Sequence, residues 1–489
     1  MQQLSALDNG MLGLESSRTP NHLCMVNIYD VSTAPDGQVT FEDLAETIRQ
    51  CLPGTPSLRR KLVRVPLGLD NPYWIEDDEF DLEFHLRQLA LPRPGDWVQF
   101  RTQVSRLHSR ALDMSRPPWE LTMIEGLDHI AGLPAGCFAI VLKVHHAAID
   151  GISGVELLNV MHTLSPDEPI GHFADSWHAE ATPSPWELLG KAGVHALVRP
   201  VASIRQVADL ALPTIKGLPK LVTDRSTRLR VPRTRFNNKV SAHRVFDEVR
   251  CPLDEMKAMK RSVDGATIND VCLTVVGGAM RHYLSDKGEL PELSMVAMVP
   301  VSTRRPDQIG EGGNHVSMMR ASMHTDIADP VDRLAAVRAT TRQLKQAQEG
   351  IGAETLLELG QTLPGALPGL AIRAVSAVSR SGPLLANTAV TNVPGSPVPQ
   401  YFHGAKIVKS TGCVPLSDGL GLFHCVTSFC SEFTFMFTAC RQLLPDVDTY
   451  RLCIERSLDD LRTAATGPAP ATKRSKPRTA RPAAARDDS

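Results

Sequence analysis

Apolar residues run almost unbroken from Cys137 to Val144 (CFAIVLKV), a stretch of strand length rich in β-formers that reads as a strand buried on both faces. Beyond it the spacing changes. Ile152, Val155, Leu157, Leu158, Met161 and Leu164 recur at helical intervals and predict an amphipathic helix. The seven residues between, His145-His146-Ala147-Ala148-Ile149-Asp150-Gly151, form the turn from strand to helix, with Asp150 at the N-cap position. Upstream, strands are predicted at Met25 to Tyr29, Trp74 to Ile75 and Thr122 to Glu125.

From Ser165 to about Arg233 the pattern degrades. Pro166, Pro169, Pro183, Pro185, Pro200, Pro213 and Pro219 leave room only for short helices, at Trp186 to Leu197 and Val201 to Leu212. A connector this long is uncommon inside one compact domain and predicts a crossover between two. After it, Thr267 caps a helix running through Tyr283 that is apolar nearly all round and therefore buried. A strand follows at Met295 to Val301. Asp329 to Gln348 reads as an exposed amphipathic helix with Leu334, Val337, Thr341 and Leu344 on one face. Leu420 to Phe429 and Glu432 to Cys440 read as paired strands, and the alternation of Phe433, Phe435 and Phe437 puts three rings on one face. Those rings either fill a core or line an acyl tunnel.

Composition turns this pattern into a domain plan. A chain of 489 residues exceeds one ordinary core. The division is an N-terminal domain at 1–165, a helical crossover at 166–233, a C-terminal domain at 234–462 and a basic, disordered tail at 463–489 whose Ala, Pro, Thr and Arg content cannot bury a core. With 42% hydrophobic and 22% charged residues the chain has the balance of a soluble globular protein, and a net charge of −2 gives no grip on nucleic acid. No stretch approaches the ~20 apolar residues of a membrane span, and no charged-then-apolar leader opens the chain, so a cytoplasmic location is expected. The 10 cysteines are scattered singly and read as reduced, buried small hydrophobes. The run Glu76, Asp77, Asp78, Glu79 and Asp81 with His85 lacks regular ligand spacing and reads as a solvated acidic turn, with no metal site.

The candidate chemistry lies in the turn after Val144. Histidine is the side chain whose unperturbed pKa lets it take and return a proton near neutrality, so two imidazoles at a rigid strand end suit general-base chemistry. The turn has the form HHxxxDG and resembles the signature of the CoA-dependent acyltransferase superfamily, which includes chloramphenicol acetyltransferase, carnitine acyltransferases and nonribosomal-peptide condensation domains. Arg116-Pro117-Pro118-Trp119-Glu120-Leu121 resembles the PLW motif of bacterial, mycobacterial-type wax ester synthase/diacylglycerol acyltransferases. Thr267-Ile268-Asn269-Asp270-Val271-Cys272-Leu273 resembles their ND motif, and Leu4-Ser5-Ala6-Leu7-Asp8 their usual amino terminus. The resemblance runs from Leu4 to about Leu461.

It implies an α/β fold of two chloramphenicol-acetyltransferase-like domains, each a mixed sheet flanked by helices, joined by a long helical crossover. The implied reaction moves a long-chain fatty acyl group from acyl-CoA to the hydroxyl of diacylglycerol, giving triacylglycerol, or to a fatty alcohol, giving a wax ester. Acyl-CoA is then a substrate and no cofactor is needed. Two rival readings are a condensation-type acyltransferase fed by a carrier protein and a catalytically weak lipid-binding paralogue. Apolar substrates also imply peripheral contact with the inner membrane or a lipid droplet; the helices at Trp186 to Leu212 and Leu367 to Val378 are candidates, with ordinary packing as the alternative.

The same resemblance assigns residues. His146 is the base. His145, pointing to the opposite face of the strand, supports the loop. Asp150 pairs with Arg304 of Val299-Pro300-Val301-Ser302-Thr303-Arg304 or caps its helix, and Gly151 permits close backbone approach. Asn269 and Asp270 fall at a helix N-terminus, where they either serve the reaction or cap the helix. Trp119 is a packing element or a substrate contact, and Asn392 and Gly395 lie in a segment (389–395) resembling one that faces the active channel in relatives. Two departures stand out. Pro118 replaces leucine in the PLW motif, and Ser428-Phe429-Cys430-Ser431 stands where many relatives read Ser-Tyr-Asn-Gly.

Overall fold

The first half of the chain contributes β1 (Gln2–Gln3), β2 (His22–Asp30), α1 (Phe41–Cys51), β3 (Arg60–Val63), β4 (Tyr73–Glu76), α2 (Leu82–His85), β5 (Leu86–Ala90), α3 (Trp97–Ser109), β6 (Trp119–Glu125) and β7 (Phe138–His145). A helix over 185–195, here α4, follows. The second half contributes α5 (Leu253–Arg261) after β8 (Arg244–Pro252), then α6 (Ile268–Asp286), β9 (Val296–Ser302), β10 (Val316–Ser322), α7 (Pro330–Gln348), β11 (Thr388–Pro394), β12 (Tyr401–Phe402), β13 (Ala405–Cys413), β14 (Leu422–Phe429), β15 (Glu432–Cys440) and α8 (Val447–Thr466). This computed structural model describes residues 1–4, 8, 9, 12, 13, 15–148, 158, 160–171, 173, 175, 177, 179, 181–195, 230–302, 316–348 and 384–466.

Two six-stranded mixed sheets organise these elements, in the orders β12-β13-β2-β7-β6-β5 and β10-β9-β11-β14-β15-β8. In the first, β7 is central and antiparallel to both β2 and β6. All eight of its residues are buried, and they divide by parity. Phe138, Ile140, Leu142 and Val144 join a cluster with Leu44 and Ile48 of α1, whereas Ala139 and Val141 join one with Phe100 and Val104 of α3. A strand covered on both faces needs no polar alternation, which is why its sequence is a nearly continuous apolar run.

The division into halves is not a division into sheets. β13 leaves the second half and pairs antiparallel with β2 from Lys406 opposite Asp30 to Cys413 opposite Cys24. The predicted domain at 234–462 therefore lends β12 and β13 to the first sheet. Side chains add to this joint: Trp97 Nε1 donates to Asp247 Oδ1 at 2.7 Å, and Arg101 reaches both Asp247 and, at 2.9 Å, Asp448.

In the second sheet, Phe433, Phe435 and Phe437 all enter the core cluster shared with α5, α6 and α8, so the three rings are core. The predicted all-apolar helix is α6, which crosses α8 so closely that a Cβ on Gly278 would lie 2.1 Å from Ser457 Oγ. α8 continues to Thr466, past the predicted domain end at 462. All 10 cysteines are free, and only Cys430 is less than fully buried. In the acidic run, Asp77 and Asp78 hold Lys61 Nζ at 2.7 and 2.9 Å. Among the described residues no helix is long and apolar enough to cross a membrane. The predicted helices at Val201 to Leu212 and Leu367 to Val378 lie outside the described residues.

Candidate active site

Two backbone contacts hold the end of β7. The N–H of His145 donates to the Pro118 carbonyl at 2.9 Å, so the proline-rich start of β6 braces the strand from one side. The N–H of His146 donates to the Asn21 carbonyl at 2.8 Å on the other side. The chain then turns through His146–Ala148 as a single 3-10 turn. Trp119, next to Pro118, is buried, stacks on His85 with ring centroids 4.4 Å apart and donates its Nε1–H to Leu58. Its polar edge is thus occupied, and the geometry places it as a packing residue.

His145 and His146 part company as alternation along a strand requires. His145 is fully buried on the α3 side, where its Nδ1 accepts from the Ala147 N–H at 3.1 Å. Its Nε2 lies 3.4 Å from Glu15 Oε2, and Glu15 Oε1 accepts from the Asn21 N–H at 3.3 Å. Burial raises the Glu15 carboxyl, but His145, Asn21 and His22 together outweigh it and hold the group below the usual carboxylate range. Glu15 therefore ties the His145 ring to the segment that positions His146. A lone acid 130 positions earlier gives no sequence signal for this partnership, and sequence reasoning missed it.

His146 is half-buried. Burial, reinforced by the neighbouring His145, pushes its imidazole below the ordinary 6.5, with its own backbone carbonyl opposing. The ring is thus a neutral proton acceptor at pH 7.

Beneath this turn lies a polar layer that sequence reasoning also missed. His22 stands opposite His145 in the β2–β7 ladder. His22 Nε2–H donates to the His108 carbonyl at 2.5 Å and His108 Nε2–H to the His22 carbonyl at 3.2 Å. Burial and then Lys143 push His22 down to about 3, and burial drives His108 well below its usual value, so both rings are neutral. Lys143 is buried beside them, donating to Glu120 at 3.0 Å and to the Leu107 carbonyl at 3.3 Å.

The second half supplies an assembly of its own. At the start of α6, Thr267 and Asp270 form a reciprocal cap: Asp270 Oδ2 accepts from the Thr267 N–H and hydroxyl, both at 2.8 Å, and Thr267 Oγ1 accepts from the Asp270 N–H at 3.2 Å. The other carboxylate oxygen accepts from Thr341 at 2.7 Å. Asp270 is therefore committed to the helix end. Asn269 is exposed, and its side-chain carbonyl accepts from Asn392 Nδ2 at 2.5 Å. Gly395 belongs to the same wall. A Cβ there would sit 2.2 Å from the Ser428 carbonyl, so only glycine lets β11 run this close to the end of β14.

The altered segment 428–431 closes that wall. Cys430 N–H donates to the Ser396 carbonyl, and the Ser431 carbonyl accepts from Leu253, both at 2.8 Å. Phe429 packs against the core cluster of the first half, as Ala148 does from the turn after His146. The structure thus brings Asn269, Asn392, Gly395 and Ser428 together. Phe429 links their wall to the half that carries His146. Asp150, Gly151 and Arg304 lie outside the described residues, and with them the expected ion pair. Among the described residues no group of three metal-ligating side chains converges.

Comparison with known proteins gives this arrangement a family context. Residues 4–272 match the wax ester synthase/diacylglycerol acyltransferase catalytic domain, and residues 312–462 match the C-terminal domain of the same family. A Mycobacterium tuberculosis (strain H37Rv) protein provisionally named a diacylglycerol O-acyltransferase is 33% identical over 470 residues, which is 94% of this chain and 99% of that protein. A second from the same strain, named likewise, is 33% identical over 421 residues, covering 80% of this chain and 83% of its own length. Among solved structures, the wax ester synthase/diacylglycerol acyltransferase of Marinobacter aquaeolei VT8 superposes with a TM-score of 0.69 at 26% identity, over 95% of this chain and 100% of that one. The first condensation domain of the CDA synthetase shares the fold at 15% identity, with a TM-score of 0.55 over 96% of this chain and 97% of that one.

Proposed function

The chain belongs to the wax ester synthase/diacylglycerol acyltransferase family, and from that premise we propose that it transfers a long-chain acyl group from acyl-CoA to the hydroxyl of diacylglycerol. Triacylglycerol and free CoA are the products; a fatty alcohol in the acceptor position gives a wax ester. The observation that carries the reading is the half-buried, neutral imidazole of His146 at the braced end of β7, in a chain whose relatives bear the matching name.

In this reading His146 takes the acceptor hydroxyl proton as the oxygen attacks the thioester carbonyl carbon. The new carbon–oxygen bond forms, the carbonyl electrons move to oxygen, and their return breaks the carbon–sulfur bond. The imidazolium then protonates the departing CoA thiolate, so the proton count closes without an acyl-enzyme. Asn269, exposed at the head of α6, is the candidate donor to the oxyanion or the acceptor. Asp150 and Arg304 are assigned the loop anchor and Gly151 the close backbone approach, while Asn392 and Gly395 form the channel wall. No cofactor enters the scheme.

A carrier-protein-fed condensation reaction is not favoured, since the condensation-domain likeness at 15% identity concerns the fold alone. A lipid-binding role without chemistry is not favoured by the family match. Peripheral attachment to the inner membrane or a lipid droplet, from a cytoplasmic location, belongs to the same proposal because both substrates carry long apolar chains. The test is an assay of labelled acyl-CoA and labelled acyl-carrier protein against diacylglycerol, fatty alcohol, monoacylglycerol and water. Ester formed from acyl-CoA supports the reading; ester from the carrier donor alone, or from neither, overturns it.

A further inference from the structure

His146 sits one residue beyond the last rung of its strand ladder. The β2–β7 pairing ends with His22 opposite His145, so the His146 N–H finds its acceptor, the Asn21 carbonyl at 2.8 Å, in the segment that leads into β2. What fixes that segment therefore fixes the histidine turn. Glu15 Oε1 accepts from the Asn21 N–H at 3.3 Å, and its Oε2 lies 3.4 Å from His145 Nε2. Between Glu15 and Asn21 the chain makes a tight turn. Ser16 and Thr19 exchange both backbone hydrogen bonds, at 3.4 and 3.0 Å, and their hydroxyls meet at 2.7 Å, which leaves Ser17 and Arg18 at the tip.

A second tight turn, from the far end of the chain, meets this one. Ser417 and Leu420 pair across Asp418 and Gly419, with Gly419 at φ +86°. Arg18 Nη1 and Nη2 donate to Asp418 Oδ1 and Oδ2, each at 3.1 Å, a bidentate fork. Nη1 also donates to the Val240 carbonyl at 2.6 Å, and the Val240 N–H donates to Asp418 Oδ1 at 3.0 Å. Arg244 Nη2 donates to the Arg18 carbonyl at 2.6 Å. All three partners belong to the second half. The halves do not need the fork to stay together, since β13 pairs along β2 and both Trp97 and Arg101 hold Asp247. The Arg18 side chain is 44% exposed, and an ion pair that open adds little to overall stability. What the fork does supply is a fixed geometry between the two turns.

We propose that Arg18 and Asp418 are positioning residues for the acyl transfer, the fork between the two turns letting the second half of the chain set where the histidine turn of the first half stands. Arg18 acts through the 15–21 segment, on Asn21 and Glu15, and through them on His146 and His145. Asp418 opens into β14 at Leu422, and the other end of that strand carries Ser428 and Phe429 of the wall, so a rigid element runs from the fork to the wall. The functional part of the proposal rests on the acyltransferase reading above.

The experiment uses the full chain with Arg18→Ala, Arg18→Lys, Asp418→Asn and the Arg18→Ala/Asp418→Asn pair. Arg18→Ala keeps the carbonyl that Arg244 binds and Asp418→Asn keeps an acceptor for the Val240 N–H, so the fork alone is removed. Amide hydrogen exchange is read by mass spectrometry at His146, at 139–143 within β7 and at 271–284 within α6. The proposal expects exchange at His146 to accelerate by about tenfold or more in either single variant, with the other two segments unchanged, the pair no worse than one change and Arg18→Lys in between. In acyl-CoA turnover it expects kcat to fall about tenfold with KM for acyl-CoA within about twofold of wild type. The ascending limb of kcat/KM should also move up toward 6.5 as water reaches the His146 ring. Unchanged exchange at His146 in both single variants overturns the proposal, as does faster exchange with an unaltered kcat. Acceleration that extends to 271–284 makes the fork a general stability element and overturns it too. If exchange at His146 responds as expected yet wild type makes no ester from acyl-CoA, the coupling between the turns stands and the acyltransferase reading falls.

Discussion

The backbone N–H of His146 donates to the carbonyl of Asn21 across 2.8 Å, tying the candidate base to a residue more than a hundred positions earlier. Asn21 is in turn held by Glu15, whose other oxygen faces His145. The ring that carries the proposed chemistry is thus oriented from the start of the chain, and neither histidine is set by its own strand alone.

The pH dependence of turnover follows from the environment of His146. Burial favours its neutral form, so the pKa lies below 6.5 and the neutral base predominates at neutrality. We expect kcat/KM to rise with pH through an ascending limb whose midpoint lies below 6.5 and to level off above it. A single ascending limb centred above about 6.5, with no other group accounting for it, contradicts the assignment.

Acid stability reports on the layer beneath the turn. His22 and His108 have folded-state pKa values depressed below the unfolded 6.5, so the unfolded chain binds more protons as the pH falls below that value. The stability they contribute is present above 6.5 and is lost toward the folded value, which for His22 is about 3. Urea denaturation at falling pH should show a loss of about 1 kcal/mol per pH unit for each ring once below about pH 6. His22→Asn should make that slope shallower; an unchanged slope contradicts the account.

Asp270 has a structural role with a measurable size. It accepts from the Thr267 N–H, the Thr267 hydroxyl and the Thr341 hydroxyl. Asp270→Ala removes the acceptor of the Thr267 N–H and hydroxyl, while the Thr341 hydroxyl keeps the Arg338 carbonyl at 3.1 Å, and should cost about 2 kcal/mol in chemical denaturation. Thr341→Val should cost about 1 kcal/mol, losing one of these bonds. A folded Asp270→Ala variant of full stability but no activity would instead make Asp270 a chemical participant.

Cys430 offers a stabilising change. It holds φ +53° in the two-residue turn between Phe429 and Glu432, a conformation that glycine adopts without strain. Cys430→Gly should raise stability by about 1 kcal/mol and leave ester synthesis intact. A lowered melting temperature would show that the Cys430 side chain contributes packing that outweighs the strain.

What the sequence could disclose depended on whether the signal was local. The run through β7 and the all-apolar α6 announce themselves because both are buried on every side, and Thr267 with Asp270 spells its cap within four residues. The alternation Phe433, Phe435, Phe437 located a strand but could not say which side held the core. Periodicity likewise carries no information about partners. Nothing in Ala405 to Cys413 distinguishes pairing with β2 from pairing within its own half, and a lone Glu15 has no spacing relation to His145. Phe429 was noticed as a departure, yet only packing shows that its ring reaches the other half.

The central claim is that His146 is the base. Single-turnover acyl transfer from labelled acyl-CoA to diacylglycerol, compared between wild type and His146→Ala of equal melting temperature, tests it most directly. The account predicts a loss of roughly 10²- to 10⁴-fold in the chemical step with folding intact. A His146→Ala variant that turns over at the wild-type rate would contradict it.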